Sequence, residues 1–114
     1  MKNQIKEKES DIVKTILEYL QLKKIVCWRN QSGMLFSEYK GKTRAIRMGV
    51  KGVSDIIAIY PDGSGRLWAI EVKANKNKLS LAQEDFLHSV SEAGGLATEA
   101  RCLNDVIIFI KAKF

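Results

Sequence analysis

The chain has 114 residues, of which 46% are hydrophobic and 28% are charged. This composition supports one domain over residues 1–114 with a packed core, and it excludes a globally disordered chain. No apolar run approaches the roughly 20 residues of a membrane-spanning helix, and the charged opening segment lacks the apolar centre of an export signal. The net charge of +6 is uneven, because residues 23–51 hold eight basic residues and one acid. That concentration indicates a polyanionic partner such as nucleic acid, unless the region is simply a solvated loop.

The opening segment is predicted to be a helix, because apolar residues recur at helical spacing at Ile5, Ile12, Val13, Ile16, Leu17 and Leu20. Charged residues such as Asp11 and Lys14 fall on the opposite, solvent-facing side. Glu9 is an exception, since it lies in register with the apolar stripe. An acid at a helix start also suits the helix dipole, so Glu9 is either a functional carboxylate or an ordinary helix-start residue.

The next region contains short β-prone segments. Residues 25–29 are predicted to form a strand, residues 30–33 a turn, and residues 34–36 could continue as a strand. Residues 37–52 are polar, basic and punctuated by glycine, so we expect a loop there. Two strands at 55–60 and 67–74, joined by a turn at 61–65, are predicted to form a hairpin.

The C-terminal part is predicted to contain helices and one more strand. Ser80 opens a helix that ends at Gly94 and Gly95, and a short strand follows near residues 97–102. Asn104 and Asp105 could cap a final helix over residues 106–113, although residues 106–110 could equally form a strand. The order of elements predicts an α/β domain with a central mixed β-sheet flanked by helices.

Cysteine and histidine offer no competing chemistry. Cys27 and Cys102 have no CxxC partner and no histidine cluster, so we expect free thiols, buried or half-buried, and no structural zinc. His88 is the single histidine, and helical spacing puts it with Glu84 and Ser91 on a solvent-facing side. A serine–histidine hydrolase is therefore not supported.

The second hairpin strand carries the charges that suggest chemistry. Side chains alternate across a strand, so Glu71 and Lys73 share one face of an otherwise apolar segment. Asp55 starts the neighbouring strand, and the hairpin can bring it beside Glu71. Two close carboxylates repel each other unless a cation lies between them, and Mg²⁺ prefers such oxygen ligands. With a lysine nearby to stabilise charge on phosphate, the set indicates phosphodiester hydrolysis; the alternative is a structural charge network on a partly exposed sheet.

Two other features bear on this site. Gln83 lies on the apolar face of the predicted second helix, where it either supports the site or completes a capping box with Ser80. Gly49 and Gly52 precede Asp55, and they would permit tight turns and the close approach of a substrate backbone.

The ordered set of these residues resembles the VRR-NUC domain, a branch of the PD-(D/E)XK nuclease superfamily. The set comprises Glu9, the segment Trp28-Arg29-Asn30-Gln31-Ser32-Gly33, the segment Gly49-Val50-Lys51-Gly52-Val53-Ser54-Asp55, Glu71-Val72-Lys73 and Ser80-Leu81-Ala82-Gln83. The resemblance covers nearly the whole chain. In its short, free-standing form the chain is similar to the viral and bacterial single-domain members of the family. Ser54 replaces the proline of the superfamily name, a position that metal binding does not require.

The resemblance implies a restriction-endonuclease-like core with a Mg²⁺ or Mn²⁺ site. Asp55, Glu71, the Val72 carbonyl and Glu9 would bind the metal, Glu9 directly or through water. Lys73 would be the catalytic lysine, and Gln83 a supporting active-site residue.

The same resemblance implies a homodimer that cuts four-way (Holliday) junctions in DNA, in the cytoplasm of a bacterial cell or phage-infected host. Phosphate contacts are expected from Arg29, Lys40, Lys42, Arg44, Arg47 and Lys51. Aromatic side chains at Trp28, Phe36 and Tyr39 would stack on open bases or serve as core or interface residues. The alternatives are a nuclease acting on flaps or single strands and a non-catalytic nucleic-acid-binding module.

Overall fold

The computed structural model describes residues 8–30, 33–39, 42–48 and 51–113. The helices in these ranges are α1 (Glu9–Leu22), α2 (Leu81–Glu92) and α3 (Leu103–Lys113). The strands are β1 (Cys27–Arg29), β2 (Gly33–Tyr39), β3 (Lys42–Met48), β4 (Ile56–Ile59), β5 (Leu67–Val72) and β6 (Leu96–Ala100). The final segment is thus a helix rather than a strand, and it begins at Leu103, before the predicted start at residue 106.

The main sheet has four strands in the order β1-β4-β5-β6. The predicted hairpin is confirmed, because β4 pairs antiparallel with β5 and Ile57 lies opposite Ala69. On one side of the hairpin β1 pairs antiparallel with β4, and on the other β6 pairs parallel with β5. A parallel neighbour requires a crossover connection, which α2 supplies between β5 and β6. The result is the predicted mixed sheet flanked by helices.

One face of the sheet, here called the α1/α3 face, packs against α1 and α3. Its core contains Trp68, Ile70 and Val72 from β5, all fully buried, with Ile16 of α1 and Val106 of α3. Trp68 stacks on Phe109 with ring centroids 5.5 Å apart, and its Nε1 donates to Thr98 Oγ1 at 2.9 Å. Because successive side chains of a strand point to opposite faces, Leu67, Ala69 and Glu71 of β5 point to the other side of the sheet.

The opposite face, here called the α2 face, is covered in part by α2. Ile57, Ala69 and Val90 form its buried cluster, with Phe86 and Leu87 packed against them. Gly52 holds the chain before β4 against the start of α2. Its φ is +81°, and a Cβ there would clash with the Ala82 carbonyl oxygen. The glycine therefore permits a close approach within the protein, whereas the sequence suggested an approach by substrate.

The prediction of a loop over residues 37–52 is wrong for most of that stretch. β2 and β3 form an antiparallel two-stranded ribbon in which Ser37 pairs with Arg44 and Phe36 with Ala45. Polar and basic side chains hid the strand pattern, but ladder hydrogen bonds use the backbone, and charged residues are common where a strand has a free edge. The basic residues of this region therefore lie mostly on a strand.

The remaining sequence predictions have mixed outcomes. Within the described ranges, no helix is long and apolar enough to cross a membrane. Both cysteines are free; Cys27 is half-buried, which raises the pKa of its thiol, whereas Cys102 is exposed, contrary to expectation. His88 is an exposed surface residue, as predicted, and its Nε2 lies 3.6 Å from Glu92 Oε1.

Candidate active site

Asp55 and Glu71 lie next to each other on the α2 face. The pairing of β4 with β5 ends at Ile56 opposite Ile70, and one more step in the same register brings Asp55 opposite Glu71. Asp55 Oδ2 accepts a hydrogen bond from the Val72 backbone N–H at 2.9 Å. This bond holds the Asp55 carboxylate at the end of the β4–β5 ladder, against the backbone of the strand that carries Glu71.

Glu71 is a buried acid with an incomplete set of partners. Its side chain is 2% exposed, and its Oε2 is buried without a hydrogen-bond partner. Burial, the Asp55 hydrogen bond and the Asp55 charge raise the pKa of Glu71 to about 9, against a partial offset from the Lys73 charge. At neutral pH the carboxyl must therefore either keep a proton or bind a cation.

Lys73 follows Glu71 on the same face of the strand. Its side chain is partly buried, and its backbone N–H donates to the Ala100 carbonyl at 3.1 Å, which extends the pairing of β5 with β6. Among the residues that the structure describes, Lys73 makes no ion pair. Its ammonium is thus close enough to influence Glu71 electrostatically and remains available to an anionic ligand.

Gln83 completes the capping box with Ser80 and also contacts Glu71. Its Oε1 accepts from the Ser80 N–H at 2.8 Å, and its own N–H donates to Ser80 Oγ at 3.1 Å, so the capping box is complete. Its Nε2 also donates to Glu71 Oε1, at 3.4 Å. One side chain therefore starts α2 and orients the buried acid.

Glu9 reaches the end of β5 from the start of α1. Its Oε2 accepts from Asn77 Nδ2 at 2.8 Å and from the Ala74 N–H at 3.3 Å. The hydrogen bond with Asn77 is the main cause that lowers the pKa of Glu9, and the charges of Lys73 and Arg101 act in the same direction. The helical register predicted that Glu9 lies on the apolar side of α1, but it predicted neither its position at the end of β5 nor these partners.

The three acids do not form one closed ligand cage. In the described part of the chain, no group of three or more His, Cys, Asp and Glu side chains is arranged to hold a metal ion. Asp55 and Glu71 form a close pair, while Glu9 is bonded to the turn that follows β5. The geometry therefore offers two adjacent carboxylates, Asp55 and Glu71, while the third acid, Glu9, is held by Ala74 and Asn77 after the end of β5.

The model of the VRR-NUC domain matches residues 7–102. The chain belongs to the VRR-NUC domain family. This family is one of nucleases, so the chain is a nuclease domain with a restriction-endonuclease-like fold, and its substrate class is DNA. The match extends from the residues just before α1 to those just after β6. No curated protein and no solved structure gives a match.

The basic residues expected to contact DNA are distributed around the VRR-NUC core. Arg29 ends β1 and Lys51 precedes Asp55, and both are exposed. Lys42, Arg44 and Arg47 lie in β3, outside the main sheet. Lys40 lies outside the described residues. Lys51 precedes Asp55 in the chain, whereas Arg29 pairs with Ile56 and so lies on the α1/α3 face, opposite the face of the acidic pair. The β3 residues lie on the ribbon.

Trp28 in β1 and Asn30, just after β1, lie on the same face of the sheet as Asp55, and the sequence did not predict this. Trp28 pairs with Ile57 on the α2 face and is 49% exposed. The Asn30 N–H donates to the Asp55 carbonyl at 2.8 Å, which continues the β1–β4 register. The available signal was strand alternation, which puts both on one face, but only the pairing with β4 brings that face to Asp55. Phe36 and Tyr39 lie in β2.

Proposed function

We propose that this VRR-NUC domain is a Mg²⁺- or Mn²⁺-dependent endodeoxyribonuclease that hydrolyses phosphodiester bonds in branched DNA. The observation that carries the proposal is the buried Glu71, whose Oε2 has no partner, beside the Asp55 carboxylate. A buried acid beside a second carboxylate has to keep a proton in the ion-free protein, and a divalent cation would replace that proton and balance the charge of both acids.

The donor set suits a hard cation. Asp55 and Glu71 would bind it through carboxylate oxygens, with help from the Val72 carbonyl and, through water, from Glu9. Mg²⁺ commonly uses one or two protein carboxylates and keeps several waters, so the absence of a third close acid among the described residues fits this ion. When bound, the ion would polarise the phosphodiester and make a bound water more acidic.

The protein side chains would orient and balance charge around the reacting phosphate. The Val72 N–H fixes Asp55, and the Gln83 amide orients Glu71, so neither carboxylate has to reorganise. Lys73 would donate to the phosphate oxygen on which charge accumulates, or orient the attacking water. This division assigns catalytic roles to Asp55, Glu71 and Lys73, with Gln83 and Glu9 in support.

The branched-DNA part of the proposal rests on size, charge and symmetry. A four-way junction has near two-fold symmetry and needs two nicks, which a two-fold homodimer with two identical sites would make. The exposed Arg29 and Lys51, with the basic residues of β3 and Lys40, would contact phosphates and orient the duplex arms. The exposed Trp28 offers a stacking surface for an unpaired base.

The decisive experiment is cleavage of a labelled four-way junction beside linear duplex, flap and single-stranded DNA, with Mg²⁺, Mn²⁺ or EDTA. The variant Lys73→Ala is compared with Lys78→Ala, an exposed lysine in the same connection. We expect paired, metal-dependent nicks in the junction, at least 100-fold slower with Lys73→Ala and unchanged with Lys78→Ala.

Other results would change the proposal in specific ways. Metal-dependent cutting of flaps or single strands alone would keep the site and reject the junction. Tight binding without cutting of any substrate would favour the non-catalytic binding module. Sedimentation of the chain with and without junction DNA tests the dimer, which a monomer at micromolar concentration in both conditions would contradict.

A further inference from the structure

Asn30 lies directly beside the proposed ligand Asp55, on the neighbouring strand. β1 and β4 pair through Arg29 and Ile56, and the hydrogen bond from the Asn30 N–H to the Asp55 carbonyl extends the ladder by one pair. Residues opposite each other in an antiparallel pair share a face, with Cβ atoms about 5 Å apart. Asn30, Asp55 and Glu71 therefore form one row across three strands on the α2 face.

The side chain of Asn30 has a buried donor without an acceptor. Its Nδ2 is inaccessible to solvent and makes no hydrogen bond, and on the far side of Asp55 the Glu71 Oε2 has the same status. Buried polar groups are nearly always hydrogen-bonded, so an unpartnered amide in this position requires an explanation. The Asp55 Oδ2 atom already accepts from the Val72 N–H. In register, the residue opposite Asn30 is Asp55, whose carboxylate also hydrogen-bonds with Glu71. A carboxylate oxygen can accept more than one hydrogen bond, so Asp55 can still accept from Asn30.

We propose that Asn30 is a positioning residue that donates its amide N–H to the Asp55 carboxylate when the divalent cation is bound. This inference rests on the proposed function. Carboxylates that bind a metal are commonly held by a second hydrogen bond, which fixes their orientation and increases metal affinity. With the Val72 N–H and the Asn30 amide both donating to its carboxylate, Asp55 is held from both neighbouring strands.

Burial also distinguishes this role from a substrate contact. Asn30 as a whole is half-buried, but its Nδ2 atom is inaccessible to solvent, so a phosphate oxygen cannot reach it without rearrangement. Lys73 and the exposed basic residues remain the groups available to phosphate. The Asn30 amide therefore acts through Asp55, and its loss should first weaken metal binding rather than DNA binding.

The test compares the parent chain with Asn30→Leu, which keeps a similar volume and removes the amide. Asn104→Leu, at an exposed asparagine near the start of α3, is the matched control. Three quantities are measured: the Kd for Mn²⁺ by titration calorimetry, the Tm in EDTA, and the cleavage rate as a function of Mn²⁺ concentration. Asn30→Ser, which keeps a smaller donor, is measured in parallel.

We expect Asn30→Leu to bind Mn²⁺ roughly 10- to 100-fold more weakly, the range found for residues that orient metal ligands. Its Tm in EDTA should equal or exceed that of the parent, because the replaced donor has no partner in the ion-free protein. Cleavage should be slow at low Mn²⁺ and recover to within a few-fold at saturation. Asn30→Ser should lie between Asn30→Leu and the parent, and Asn104→Leu should match the parent.

Three results would overturn the inference. The first is a Kd for Mn²⁺ of Asn30→Leu equal to that of the parent. The second is a lower Tm of Asn30→Leu in EDTA, which would indicate a structural hydrogen bond. The third is a loss of cleavage rate in Asn30→Leu that saturating Mn²⁺ does not restore. If the parent itself neither binds Mn²⁺ nor cleaves DNA, the proposed function fails first, and this inference fails with it. A parent that cleaves, with an indistinguishable Asn30→Leu, rejects only the role of Asn30.

Discussion

Replacing Glu71 with glutamine should stabilise the ion-free protein while it abolishes cleavage. Glu71 is 2% exposed, and burial together with Asp55 raises its pKa to about 9 from an ordinary value of 4.5. At pH 7 the folded chain must retain a proton that the same carboxyl has released in the unfolded chain. Folding therefore carries a protonation cost at Glu71, which an uncharged isostere avoids.

The magnitude follows from the two pKa values. Because each pH unit above 4.5 costs about 1.4 kcal/mol until the pKa near 9 is reached, the cost at pH 7 is about 3 kcal/mol. The folded pKa is the higher one, so the cost is absent below pH 4.5, increases as pH rises, and levels off above about pH 9. Glutamine has to pair its own amide beside Asp55, so the expected net gain at pH 7 is roughly 1–3 kcal/mol.

Thermal unfolding in EDTA between pH 4.5 and pH 8.5 measures this effect, with Glu84→Gln, at an exposed glutamate of α2, as the control. We expect Glu71→Gln to exceed the parent by several degrees at pH 7.5, and the difference to close toward pH 4.5. Mn²⁺ should raise the Tm of the parent but not that of Glu71→Gln. A Glu71→Gln protein less stable than the parent at pH 7.5, or a difference independent of pH, would refute the reasoning.

Three further substitutions test other parts of the structure. Gly52→Ala should lower the free energy of unfolding, measured in urea, by about 2–3 kcal/mol, because its Cβ would clash with the Ala82 carbonyl. The control Gly63→Ala, at a similar φ of +82° but in open space, should lower the free energy of unfolding by only about 1 kcal/mol. Trp28→Ala should weaken junction binding by roughly 1–3 kcal/mol in fluorescence anisotropy and leave the Tm nearly unchanged, and equal affinity would remove Trp28 from the DNA surface. Glu9→Ala removes the acceptor of two hydrogen bonds at the end of β5 and should cost about 1 kcal/mol at pH 7. Since the pKa of Glu9 is lowered in the folded chain, this loss should diminish as pH falls below 4.5, and a loss that is constant with pH would contradict it.

The sequence determined the local geometry of the candidate site. Strand alternation put Glu71 and Lys73 on one face, helical spacing put Glu9 beside the apolar stripe of α1, and the Ser80–Gln83 spacing predicted a capping box that the structure contains. Each of these features depends on residues within one turn of helix or a few positions of a strand. Periodicity and capping encode such features directly.

The β2–β3 ribbon shows where local patterns were insufficient. Its residues are basic and polar, so hydrophobic periodicity gave no strand signal, and the backbone pairing of Ser37 with Arg44 was not visible in composition. Gly52 is a second case. The glycine indicated a close approach, but the sequence did not identify α2 as the approaching element.

Only the tertiary structure decided the electrostatics of the site. The pKa of Glu71 depends on its burial, on the Asp55 carboxyl from another strand and on the charge of Lys73. The row of Asn30, Asp55 and Glu71 exists because β1 and β5 flank β4 in the sheet. Segments distant in sequence set the strand order and register. The desolvation of Glu71 depends on the parts of the chain that pack over its side chain. The sequence therefore determined which residue types share a face, while the fold decided which atoms are buried together and which of them lack a partner.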